Sequence, residues 1–363
     1  MPCSRDFLPE RHRLKYLAPG NTITIDEDCM RTTSRLLGLI LLGLVLLAGC
    51  RAQGDVTVVK LGHGLDPTHP VHQAMVFMAQ RVDEKSGGMM RIDIYPSQQL
   101  GTERQLLELL QLGSLGITKV ASAVLEGFAP SYKVLSLPYL FRDEAHRFAV
   151  LEGEIGRQLL LDGEKYWLRG LTFYDAGSRS FYTKERPIET PDDLAGLKIR
   201  TLESATQVQM VNQLGGSATP ISWGELYTAL QQGVVDGAEN NPPSFYTSRH
   251  YEVCKYYVLD EHTGIPDVLL ISTIVWKTLT AQEQQWLTEA AWESAQYQKR
   301  LWKAATEEAL QAVQASGVEV IYPDKTPFAE KVAPLYDAYR DEPALYDLIQ
   351  QIQAVTATAD EGR

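Results

Sequence analysis

Two arginines stand where a carboxylate could be gripped. Arg179 lies in Ala-Gly-Ser-Arg-Ser-Phe-Tyr and Arg200 closes Gly-Leu-Lys-Ile-Arg, each at or just after an apolar, strand-like stretch. A guanidinium aimed from a strand end meets a planar carboxylate through two parallel hydrogen bonds, so the first expectation is an anion-capture site. The polar run Asp236-Gly-Ala-Glu-Asn-Asn-Pro-Pro243 follows and supplies the side-chain amides of Asn240 and Asn241. Glu103 and Glu203 are natural acceptors for hydroxyl groups, which a purely apolar acid would leave unpaired at a desolvation cost. Lys119, in the otherwise apolar Leu115-Gly-Ile-Thr-Lys-Val120, reads as a charge at a strand end facing a cleft. Together these groups favour a hydroxylated acid over a plain dicarboxylate.

His63, His69 and His72 raise the question of a metal. Pro67 and Pro70 make their segment a loop entering a helix, and Asp66 is the only nearby carboxylate, so no recognised ligand spacing results and no metal is expected. His69 remains a candidate for hydrogen-bonding a ligand. Enzyme signatures are missing: there is no Gly-x-Ser-x-Gly elbow, no Gly-x-Gly-x-x-Gly, no phosphate loop and no His-Glu-x-x-His. No catalytic residue and no cofactor is therefore expected, and a secreted sugar-acid lyase stands as the alternative from another functional class.

The elements that must carry these residues read as an α/β succession. Val56–Gly62 predicts a buried strand, Pro70–Lys85 an amphipathic helix, Met90–Tyr95 a period-two strand and Glu103–Leu112 a helix. Such a βαβα order builds an open sheet that binds ligands at the carboxyl ends of its strands, where Glu103, Lys119 and the loop after Gly62 should lie. A second α/β unit is expected to open near Leu168–Tyr174 and to carry Arg179, Arg200 and Asn240, before Val268–Trp276 returns to the first as a buried strand. Residues 281–316 contain neither Pro nor Gly, with Thr280 and Glu283 placed as a capping box and Gly317 as a stop. A single helix there would span about 54 Å, so it either kinks or lies across both lobes. The lobe boundaries read as 55–174 with 262–290, and 175–261 with 291–357.

The composition, 44% apolar and 22% charged over 363 residues, is that of a folded chain long enough for two domains. The net charge is −12, and setting aside residues 1–49, with six Lys+Arg and five Asp+Glu, leaves −13. That field argues against nucleic acid and anionic membrane faces as partners, so an anionic ligand must be held by local arginines. Arg31 and Arg35, the apolar run Leu36–Leu47 and the box Leu47-Ala-Gly-Cys50 read as a lipoprotein signal over 30–49, with Cys50 lipidated and 50–55 a linker. The alternative is an uncleaved membrane anchor, for which the run is short. Residues 1–29 read as an extension ahead of a true start at Met30. Once that start and the lipid are assigned, Cys254 is the one cysteine left in the body, so no internal disulfide is expected.

Collinear blocks resemble the extracytoplasmic solute-binding proteins of TRAP (tripartite ATP-independent periplasmic) transporters. They are Tyr95-Pro-Ser-Gln-Gln-Leu-Gly101 with Glu103, Leu135-Ser-Leu-Pro-Tyr-Leu-Phe141, Gly196–Arg200, and Glu225–Asn240. The resemblance implies a periplasmic-binding-protein-like fold: two α/β lobes around a hinge and ligand cleft, crossed by a long helix. It implies that Arg200 makes the bidentate carboxylate contact, that Arg179 assists it and that Asn240 hydrogen-bonds the ligand from the second lobe. Trp223 falls where many members place an aromatic under the ligand; its alternative is a core tryptophan at a helix start. Asn241 departs from the commoner Asn-Pro and either adds a donor or shapes the loop. Thr118–Val120, Leu125-Glu-Gly-Phe128 and Asn240–Pro243 resemble the sugar-acid branch, which implies a uronate or aldonate ligand and a membrane permease as partner. A C4-dicarboxylate or keto acid is the alternative ligand.

Overall fold

The computed structural model describes residues 56–356. The expected signal, Cys50 and the extension 1–29 lie outside the described residues.

Two sheets organise the chain. The first has the order β2-β1-β3-β10-β4, formed by β1 (Thr57–Gly62), β2 (Met90–Tyr95), β3 (Ile117–Ala121), β4 (Leu168–Tyr174) and β10 (Asp267–Ser272). The second has the order β11-β9-β5-β8-β6-β7, formed by β5 (Arg179–Thr183), β6 (Lys198–Thr201), β7 (Ser217–Pro220), β8 (Gly237–Asn240), β9 (Tyr256–Thr263) and β11 (Glu319–Ile321). β1 is parallel to β2 and β3, whereas β10 runs antiparallel between β3 and β4. In the second sheet β6 is parallel to β7 and β8, and β5 is antiparallel to β8 and β9. β3 and β10 are buried along their whole length, as their apolar runs require when both faces of a sheet are covered.

Four segments pass between the lobes: the link from β4 to β5, the link from β9 to β10, the stretch that joins the helix Thr326–Val332 to the helix Pro343–Ala354, and the helix Ala281–Ala315. The helix is one uninterrupted element of 35 residues, about 52 Å long, and it crosses both lobes. Its start is closed by the expected capping box, Thr280 Oγ1 accepting from Glu283 N–H at 3.2 Å while the Glu283 carboxylate accepts from Thr280 N–H at 2.8 Å. Leu287, Ala290, Ala291 and Ala295 pack in the first-lobe core against the helix Pro70–Ser86, and Val313 packs in a second-lobe core. Small residues on that face let the two helices approach closely.

Two expectations are corrected. Leu168–Tyr174 opens no second unit; it is the edge strand of the first sheet, antiparallel to β10, on the first-lobe side of the boundary read at 174. The segment 291–357 is not all second lobe either. Phe328 and Val332, from the helix Thr326–Val332, enter the second-lobe core, but Ile349 and Ile352, from the helix Pro343–Ala354, enter the core around Leu135 and Leu137 in the first. The apolar face of that last helix finds its partner across the molecule, which local periodicity does not encode.

Because Leu287 is fully buried where the long helix meets the first lobe, Leu287→Ala should lower the unfolding free energy by about 2–5 kcal/mol in urea titrations. A loss well under about 1 kcal/mol would contradict this packing.

Candidate functional site

Arg200 sits on β6, between β7 and β8, with 1% of its surface exposed. Its Nε–H donates to the Ile221 carbonyl at 2.8 Å, and its guanidinium lies 5.8 Å from the centre of the Trp223 ring. Nη1 is buried with no hydrogen-bond partner, and no carboxylate among the described residues forms an ion pair with Arg200. Burial pulls its pKa down, opposed by the field of Glu239, yet a guanidinium stays charged at any physiological pH. A buried cation with an unanswered Nη1 is an arrangement that an anion can complete.

Arg179, expected to share that grip, is engaged elsewhere. At the head of β5 its Nε and Nη2 donate to the Glu239 carboxylate, the Nη2 bond to Oε1 measuring 2.9 Å, and Nη2 also donates to the Glu239 carbonyl at 2.8 Å. Its Nη1 donates to Asn240 Oδ1 at 2.9 Å. Asn240 Oδ1 accepts a second bond from Asn241 N–H at 2.9 Å, and the Asn240 carbonyl accepts from the Tyr257 hydroxyl at 2.8 Å. With its oxygen pinned twice, the Asn240 amide must present its NH2 in the opposite direction. Arg179 therefore orients Asn240, its guanidinium donors being directed to Glu239 and Asn240.

Behind this pair lies a charge ladder. His262 Nδ1–H donates to Asp260 Oδ2 at 2.7 Å, and its Nε2 faces Glu239 Oε2 at 3.6 Å. Burial alone would depress the imidazole, but Asp260 and Glu239 raise it to about 9. Burial likewise pushes the Glu239 carboxyl up, and Arg179 with His262 overcomes this and holds it at about 2. Two cations thus neutralise two anions, and the Arg200 charge remains outside the ladder.

The first lobe contributes a second cluster. Lys119 Nζ donates to Asp267 Oδ1 at 3.0 Å and to Glu103 Oε1 at 3.2 Å, with the lysine 3% exposed. Burial lowers the Lys119 pKa, but the two carboxylates reverse it to a net rise; the Asp267 carboxyl is raised, chiefly by burial. One cation against two carboxylates leaves acceptor capacity over, and Glu103 begins a helix whose dipole tolerates its charge. Asp267 was missed by sequence reasoning; an acid opening an otherwise apolar buried strand was its signal.

The remaining candidates divide. His69 caps the helix Pro70–Ser86: Nδ1 accepts from Val71 N–H at 3.2 Å, and Nε2 meets Ser244 Oγ of the second lobe at 3.2 Å. Burial drives its pKa to about 3, so the neutral ring is a tie between lobes. His63 and His72 share a hydrogen bond of 3.0 Å. Asn241 caps the helix Pro242–Thr247, its Oδ1 accepting from Ser244 N–H at 2.9 Å, which is the loop-shaping alternative. Trp223 is half-buried, flanked by Arg200 and by the His250 ring at 5.2 Å, and so is no simple core residue. Glu203 is exposed on the turn ahead of Ala205–Leu214 and is not brought into either cluster.

A family described as bacterial extracellular solute-binding protein, family 7 (DctP) matches residues 61–342, and the chain belongs to this family, the solute-binding component of TRAP transporters. Protein YiiZ of Salmonella typhimurium, itself uncharacterized, is 40% identical over 299 residues, covering 82% of this chain and 91% of that protein. A TRAP periplasmic solute-binding protein of Xanthobacter autotrophicus, solved with bound β-D-galacturonate, is 40% identical with a TM-score of 0.80, covering 82% of this chain and all of that one (100%). Another from Anaerococcus prevotii, solved with bound α/β-D-glucuronate, is 37% identical with a TM-score of 0.79, covering 82% of this chain and 98% of that one. The family places the protein in the periplasm.

The His262 value is raised from 6.5 to about 9, so its ionic contribution to stability is complete below the unfolded value and is lost as pH rises through about 9. The melting temperature should fall between about pH 7 and pH 10, and His262→Gln should flatten that part of the profile. Superimposable profiles for the two proteins would contradict the ladder.

Proposed function

We propose that the protein binds a hexuronate, D-galacturonate or D-glucuronate, and delivers it unchanged to the membrane subunits of a TRAP transporter. The observation that carries this reading is the buried Arg200 guanidinium with an unanswered Nη1 and no carboxylate partner. A ligand carboxylate would complete it through charge-assisted bonds. The Asn240 NH2, oriented by Arg179, would donate to a ring or hydroxyl oxygen, and the carboxylates around Lys119 would accept from hydroxyls. Trp223 would offer its face to the sugar ring.

The charge pattern supports a monocarboxylate with hydroxyls over a C4-dicarboxylate. Of the two buried arginines of the second lobe, Arg179 is paired with Glu239 and Arg200 is not, whereas the Lys119 cluster of the first lobe already has an excess negative charge and would oppose another anion. The similar structures with bound galacturonate and glucuronate support the same class.

Closure around the ligand is a population shift: groups on both lobes meet it only when the lobes approach, so binding favours that state and presents it to the permease. A micromolar ligand supplies about 8 kcal/mol, from which closure must be driven. Lipidation at Cys50 after Leu47-Ala-Gly would hold the receptor at the membrane, and a mature mass carrying acyl chains would support it.

Calorimetry against uronates, aldonates, succinate and keto acids tests the reading, with mass analysis of recovered ligand. A uronate should bind and be recovered unchanged, and Arg200→Ala should weaken it at least about 100-fold. Tight binding of succinate or a keto acid with none of any uronate would overturn the ligand class. Conversion of the bound sugar acid would overturn the receptor role.

A further inference from the structure

Ser97 and Gln98, in the turn after β2, have φ of 53° and 59°. L-residues enter this left-handed region singly and at a steric cost, so two in succession must be imposed by their surroundings. The loop after β1 imposes them: Ser97 N–H donates to the Leu65 carbonyl at 3.0 Å and Gln98 N–H to the His63 carbonyl at 3.1 Å.

The strained turn sends the Gln98 amide from the first lobe onto the second. A Cβ placed on Gly224 would stand 2.2 Å from Gln98 Oε1, so the amide rests against bare backbone that only glycine offers. A Cβ on Gly64 would stand 3.6 Å from Gln98 Nε2 and 3.7 Å from Trp223 Cδ1, which sets the amide beside the indole ring that lies over Arg200. Gln98 Nε2 is buried and has no hydrogen-bond partner, as is Arg200 Nη1. Two unanswered donors, one from each lobe, therefore flank Trp223. No acceptor among the described residues serves them, and a buried donor left unpaired is unfavourable.

We propose that Gln98 is the cleft's closing residue and a direct ligand contact, its amide lodging against Gly224 as the lobes meet and donating from Nε2 to an oxygen of the bound sugar acid. This deepens the reading of Arg200 as the carboxylate anchor and rests on it. The left-handed backbone at Ser97-Gln98 holds the amide at the cleft mouth before the ligand arrives, so less ordering is needed on binding.

The test is calorimetry and stopped-flow dissociation of D-galacturonate and D-glucuronate from wild type, Gln98→Gly and Gly224→Ala. Glycine accepts φ near 59° without strain, so Gln98→Gly should melt no lower than wild type while its Kd weakens at least about tenfold, mainly through faster release. Gly224→Ala displaces the amide without touching the strained turn and should shift affinity in the same direction. Kd values within about twofold of wild type for both variants, with wild type binding a uronate, overturn this inference alone. Failure of wild type to bind either uronate overturns the reading of Arg200 and this inference with it.

Discussion

A guanidinium buried without a counter-charge is among the least favourable things a fold can hold, and the surroundings of Arg200 are built around that constraint. Removing a charge from water costs several kcal/mol unless a partner restores the lost interactions. Here the protein restores only part: the Ile221 carbonyl takes one N–H, and the Trp223 face gives a weak attraction. On β6, one strand in from the β7 edge, the side chain is buried from solvent. The remainder is unanswered among the described residues, and under the proposed function a ligand carboxylate would supply it.

The second arginine shows how the same chemistry is turned to another end. Were Arg179 also unpaired, the site would hold two buried cations in mutual repulsion. Glu239 cancels its charge, and the remaining N–H fixes the direction of the Asn240 amide. His262 and Asp260 extend that cancellation inward, which lets Glu239 stay ionised in a fully buried position. Charge is thereby confined to Arg200 in one lobe and to the acid-rich Lys119 cluster in the other. The long helix, packed into cores of both lobes, joins these two halves.

What could be read beforehand follows from how local each signal is. The capping box at Thr280 and the unbroken run to Ala315 are local, and the helix forms as spaced. Arg200 and Asn240 lie within blocks of strong family resemblance, Trp223 just ahead of one, and the structure sets β6 and β8, which carry the first two, side by side in one sheet. The pairing of Arg179 with Glu239 was not legible, because that partner lies 60 residues away and is delivered by the antiparallel pairing of β5 with β8. Asp267 reaches Lys119 from 148 residues away, on a strand that returns to the first sheet, so nothing near Lys119 announces it. The helix Pro343–Ala354 was assigned to the wrong lobe for the same reason: its apolar face is visible in sequence, its docking partner is not. Gln98 lay inside a quoted block, yet its left-handed backbone and its contact with Gly224 exist only in three dimensions.

Whether a sugar-acid carboxylate completes Arg200 is answered by a crystal structure of the protein grown with D-galacturonate. The carboxylate should lie within about 3 Å of the Arg200 guanidinium nitrogens, with Arg179 still paired to Glu239. A carboxylate bound to Arg179 or Lys119, with Arg200 left unpaired, would contradict that placement.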